Sequence, residues 1–150
     1  MAEVLYTIDI LRLAASTAEW PALTEPHGSV ERRSPTCGSR IRVDVMRDGA
    51  GRLSAIGVGV NACALGQAAT AILARAAPGR DATALHAARD ALAAYLSGDS
   101  DSLPDWPNIA HLAPARAYPA RHASILLAFD AAAAAMDAAE AACLPDRAHG

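Results

Sequence analysis

Large aromatic side chains are almost missing: one Phe, two Trp and three Tyr in 150 residues. A core made without them relies on thin side chains, so the expectation is closely packed helices and few large pockets. Cysteine is as sparse, with three copies and no C-x-x-C pair. That excludes a disulfide framework and the usual four-ligand structural zinc site. The 13 basic residues are dispersed along a chain of net charge −3, which argues against a nucleic-acid groove. No apolar run is long enough to span a bilayer, since Ile125 to Phe129 and Ala131 to Met136 are the longest. Residues Met1 to Ile10 include Glu3 and Asp9 and lack a basic region followed by an apolar core, so they do not read as a secretory signal. Unpaired thiols without an export signal point to the cytoplasm. There is no nucleophile elbow, no phosphate-cradling glycine loop and no paired-carboxylate pattern. Nothing in the residues marks an enzyme.

What is present is a chain built to fold. Hydrophobic residues make up 53% and charged residues 19%, a balance typical of a globular domain. The length fits one domain over residues 1–150, with a tail that frays after about residue 140. Thr7 is placed to cap a short helix running to Ala15, with Ile8, Leu11 and Ala15 on its inner face. Pro21 and Pro26-His27-Gly28 end that segment, and a strand follows from Ser29 to Arg33. Ile41, Val43 and Val45 alternate with Arg42, Asp44 and Met46, the pattern of a strand with one wet face.

Asp48-Gly49 and Gly51 mark a hairpin turn. Leu53 to Val60 returns as a third strand, with Gly57 and Gly59 allowing something to approach its backbone closely. From Leu65 the period changes to 3.6. Leu65, Ala68, Ala69, Ile72 and Leu73 form one stripe. Leu85, Ala88, Leu92 and Tyr95 form a second, on a helix opening at Asp81 or Thr83. Gly98 to Pro107 reads as a loop that Trp106 pins to the body. Pro119 suits the first position of a long last helix whose buried face is Ile125, Phe129, Ala132 and Met136. The fold class is α+β: a small three-stranded antiparallel sheet, helices packed on one of its faces, and a long C-terminal helix.

Two cysteines stand at turns. Cys37 lies in Ser34-Pro35-Thr36-Cys37-Gly38-Ser39, between two strands, where small polar neighbours keep a thiol accessible. The competing reading is a small buried hydrophobe at a strand end. Cys63 lies in Asn61-Ala62-Cys63-Ala64, where a strand gives way to a helix whose first amides favour thiolate. Its competing reading is a buried spacer. The hairpin at Asp48 brings both to one end of the sheet, where two sulfurs begin a metal site. His122, in Arg121-His122-Ala123-Ser124, is a candidate third ligand. The Ser124 hydroxyl stays protonated and suits a helix-start hydrogen bond better than a soft metal. His27, His86, His111, Cys143, Asp44 and Asp48 read as turn, tail or solvated positions.

These segments resemble the iron–sulfur cluster assembly scaffold family, of the IscU and NifU N-terminal type with its SufU branch. The resemblance is carried by Ser34-Pro35-Thr36-Cys37-Gly38, by Ala62-Cys63-Ala64-Leu65-Gly66-Gln67-Ala68-Ala69, and by Pro119-Ala120-Arg121 with the stretch Ser124 to Ala131. In order and spacing it spans about residues 4–138. It implies a small α+β domain that holds a cluster on three cysteines and an aspartate, with a cysteine desulfurase and acceptor apo-proteins as partners. Cys37 and Cys63 match the first two cysteines. The third falls on Ser124, the aspartate on Ser39, and the residue before the third cysteine on Ala123. Ala117-Tyr118-Pro119-Ala120-Arg121 stands where one branch carries a Leu-Pro-Pro-Val-Lys motif. Iron–sulfur centres are normally held by thiolates, so the resemblance implies a thinned site. Cys37 and Cys63, with His122, would hold iron, a labile cluster or zinc for transfer. The alternatives are a relative that serves only as a partner protein, or a persulfide acceptor for the desulfurase.

Overall fold

A computed structural model of the chain describes residues 6–35 and 38–142. Helix α1 (Ile8–Ala15) is followed by strands β1 (Gly28–Arg33), β2 (Arg40–Arg47) and β3 (Leu53–Asn61), then helices α2 (Ala64–Ala76), α3 (Ala82–Ser97) and α4 (His122–Ala142). The strands pair antiparallel in the order β1-β2-β3. Ile41, Val43 and Val45 are fully buried, on the face that α4 covers. This is the α+β architecture that the alternation and the later 3.6 period predict. None of the described helices is long and apolar enough to cross a membrane.

Local chemistry sets the element ends. Thr7 Oγ1 accepts from Ile10 N–H at 3.1 Å and Asp81 Oδ1 from Ala84 N–H at 2.8 Å, N-caps that each contribute about 1 kcal/mol. At the β2–β3 hairpin Asp48 Oδ1 accepts from Ala50 N–H at 2.9 Å and Arg52 N–H at 3.0 Å. These bonds, the one from Arg52 foremost, hold its carboxyl below the usual 3.8. A carboxyl whose pKa is lower in the folded chain stabilises the fold above its unfolded value, and that contribution is lost as pH falls through the folded one. Asp48→Ala is therefore expected to melt below wild type at neutral pH, with the two thermal midpoints converging by about pH 2. A gap that persists in acid would mean the turn is held by something other than the ionised carboxylate.

Four expectations are corrected. In α1 the buried residues are Ile10 and Ala14, while Ile8 is 64% and Leu11 49% exposed. Asp9 and Arg12 share one side of the helix, and Ile10 and Ala14, on the side away from those charges, are the residues that meet α2. The outer face of the sheet is not uniformly wet. Residues 20–23 cross it, with Val58 N–H donating to Trp20 O at 2.8 Å. A Cβ on Gly57 would sit 2.4 Å from Pro21 O, so glycine is required there. Asp44, expected to be solvated, is 3% exposed under that crossing. It accepts from Ser29 Oγ at 2.6 Å, Leu23 N–H at 3.2 Å and Arg42 Nε–H at 3.2 Å. Finally, Pro119 opens a 3₁₀ turn (Pro119–Arg121) and α4 begins only at His122. A longer 3₁₀ segment, Ile109–Ala117, precedes it and was not expected.

The loop after α3 is pinned as expected. Trp106 is buried, donates Nε1–H to Ile72 O at 2.9 Å and stands edge-on to Phe129 with centroids 5.4 Å apart.

Candidate cysteine and serine site

The β3-to-α2 junction brings the first functional side chain into place. Cys63 is the N-cap of α2, with extended backbone (φ −65°, ψ 169°), and is partly exposed. Gln67 clamps the junction: its backbone N–H donates to Cys63 O at 2.9 Å and its side-chain amide to Ala62 O at 3.1 Å. On the far side of the cleft, Gly38 N–H donates to Ser34 O and Ser34 N–H to Ser39 O, closing the loop between β1 and β2. Ser39 is 5% exposed.

The third wall comes from α4. Gly66 of α2 faces it: a Cβ there would make ordinary contact with Ser124, 3.6 Å from its Cβ, but would press on Ala62 Cβ at 2.9 Å, so the glycine serves the β3-to-α2 junction. Ser124 is 1% exposed, and its hydroxyl lies 3.4 Å from that of Ser39, 85 residues away. Gly38, Ser39, Asn61, Ala62, Cys63, Arg121 and Ser124 line one cleft of about 250 Å³. The structure thus brings Cys63 together with both serines. Residue chemistry alone suggested a hydrogen bond for Ser124; its partner across the cleft came only through the resemblance.

Cys37 and Cys143 lie outside the described residues. His122 is placed elsewhere: its Nε2 is 3.0 Å from Ala115 O and 3.1 Å from Arg116 O. Two positions along a helix is a rotation of about 200°, so His122 and Ser124 point apart. Nδ1 is the nitrogen these two bonds leave uncommitted. His86 Nε2 lies 2.7 Å from Asp137 Oδ2, joining α3 to α4.

The chemistry of the cleft follows from its donors. Hydroxyls stay protonated at neutral pH and are poor partners for a soft metal, whereas a thiolate is a good one. Among the described residues no three His, Cys, Asp or Glu side chains converge as a metal-binding group. The cleft therefore supplies one soft donor, Cys63, beside two hydroxyls bonded to one another. It suits a loosely held soft metal only when a second thiol joins it.

A three-stranded meander, a long closing helix and a cleft with Cys63 at the sheet end make the small α+β domain that the resemblance in the sequence implies. The solved structure of a nitrogen-fixing NifU-like protein (N-terminal) from Brucella abortus is 34% identical, covers 91% of this chain and 95% of that one, and superposes with a TM-score of 0.84. The chain belongs to the iron–sulfur cluster assembly scaffold family of the NifU N-terminal, IscU and SufU type. A protein from Fervidobacterium islandicum AW-1, described as an iron–sulfur cluster assembly scaffold for the SUF system, shares the fold at 16% identity. Its TM-score is 0.79, over 88% of this chain and 96% of that one. No family model and no curated protein matches the chain.

Proposed function

We propose that this chain takes up iron or a labile iron–sulfur cluster through Cys37 and Cys63 and passes it to acceptor proteins. The observation that supports the reading best is the cleft itself. Cys63 shares it with Gly38 and Ser39, the two residues that follow Cys37 in the chain. His122 would become a third donor only by leaving Ala115 and Arg116 and turning toward the cleft, and zinc is a competing metal for the same thiols. Two thiolates beside neutral hydroxyls bind weakly, which suits a protein that must release what it holds. A cysteine desulfurase is the sulfur source that family membership suggests, and the cytoplasm the setting. The role is binding and transfer rather than catalysis.

Anaerobic incubation with ferrous iron and sulfide, followed by desalting, tests this. Wild type is expected to retain both, and Cys63→Ser at least about tenfold less, taking the cost of losing a ligand as no smaller than that of losing its outer support. Equal retention by the two proteins would refute it.

One observation favours a second reading. Ser39 and Ser124 present neutral hydroxyls, 3.4 Å apart, where the resemblance places anionic ligands, as fits a relative that has given up clusters and serves as a desulfurase partner or sulfur acceptor. In that case Cys63 thiolate attacks the outer sulfur of a donor persulfide, the donor's S–S bond breaks, and a donor thiolate leaves. Mass spectrometry would then find one added sulfur on Cys63 in protein that retains no iron.

A further inference from the structure

Strand register assembles a feature that the dispersed arginines of the sequence conceal. Arg33 stands directly opposite Arg40, and Arg40 directly opposite Asn61, a row across the sheet on the face of Arg42 and Asp44. The row borders an open cavity of about 700 Å³. Gly38, Ser39 and Asn61 also line the smaller cleft at Cys63, where Arg121 joins them, so the two spaces adjoin.

Like charges directly opposed on one face destabilise a sheet, yet two arginines meet here in a chain of net charge −3. In the adjoining row Arg42 pairs with Asp44, and within the row itself Arg33 reaches back to Glu31, each at 3.2 Å, so a docked carboxylate shares Arg33 with Glu31. Arg40 and Arg121 make no ion pair with a described residue. No carboxylate is among the described residues that line either space.

We propose that this groove docks an acidic segment of a protein partner, with carboxylates seated along Arg33, Arg40 and Arg121. Every basic residue of the chain is arginine, whose planar fork of donors matches a carboxylate two bonds at a time. A lone small anion is a poor occupant. Arg33 has a side chain 66% exposed, and single pairs at such positions are screened by salt and contribute little. A segment bearing several carboxylates engages the arginines together, each contact raising the effective concentration of the next. Docking there sets the partner beside Cys63. The inference goes beyond the iron and sulfur reading and requires neither.

The test uses metal-free protein and a fluorescein-labelled hexaglutamate peptide, followed by anisotropy at low and at physiological salt. Saturable binding that weakens as salt rises is expected. Arg33→Gln with Arg40→Gln lowers the affinity at least about tenfold, as loss of charged hydrogen bonds requires. Arg12→Gln with Arg75→Gln, on another face, leaves binding unchanged, and circular dichroism confirms that both variants fold. Equal binding by the Arg33 and Arg40 double variant overturns the proposal. So does inorganic phosphate that competes, charge for charge, as well as unlabelled hexaglutamate, because the site would then serve free anions.

Discussion

Replacing Trp106 by alanine is expected to destabilise the fold by about 3–5 kcal/mol, the cost of deleting a large buried aromatic. The indole is 4% exposed and fastens the loop before the 3₁₀ segment to two helices. Its Nε1–H reaches Ile72 O in α2, its edge meets Phe129 in α4, and the Arg80 guanidinium lies 4.0 Å from its centre. Domains of this kind are stable by only about 5–15 kcal/mol in total. For a chain of this length the loss lowers the melting temperature by about 8–15 °C. Trp106→Phe keeps a ring in place and gives up the hydrogen bond, so it costs only about 1–2 kcal/mol. Denaturant titrations of both variants make the comparison. A loss below 1 kcal/mol for Trp106→Ala would show that the loop is held by other contacts.

The second large effect is a gain. Ser39→Asp combined with Ser124→Cys places an anionic oxygen and a third thiol where two hydroxyls now lie 3.4 Å apart beside Cys63. Retained iron and acid-labile sulfide are expected to rise at least about tenfold over wild type. The variant carries a second signature. A buried carboxylate and an enlarged side chain make the metal-free protein less stable than wild type. Iron then raises its melting temperature, because a ligand that binds only the folded chain stabilises it. Iron and sulfide contents no higher than wild type would mean that these positions do not converge with the cysteines on one cargo.

What could be read from the sequence and what could not divide along a physical line. Cys63 as a helix cap was legible because Asn61-Ala62 ends a strand period of two and a period near 3.6 starts at once. The hairpin was legible from Asp48-Gly49 and Gly51, whose bonds span at most four residues. Burial of Asp44 was not, because its partners Leu23 and Ser29 lie 21 and 15 residues away and no local pattern encodes that crossing. The inner face of α1 was legible from the charges, since Ile10 and Ala14 lie away from Asp9 and Arg12, but not from the spacing of Ile8, Leu11 and Ala15. His122 turns toward Ala115 and Arg116 because a 3₁₀ segment containing Pro114 runs beside it, and that segment has no periodic signature. The arginine row needed the register of three strands before residues 33, 40 and 61 could be seen as neighbours.

The claim on which the functional account depends is that Cys37 and Cys63 meet. Phenylarsine oxide condenses with two thiols only when both reach one arsenic atom, so its stoichiometry in a Cys143→Ser background tests the claim directly. The account predicts one tightly bound equivalent per chain, lost when either Cys37 or Cys63 is also changed to serine. Binding no tighter than in those single-thiol variants would contradict it.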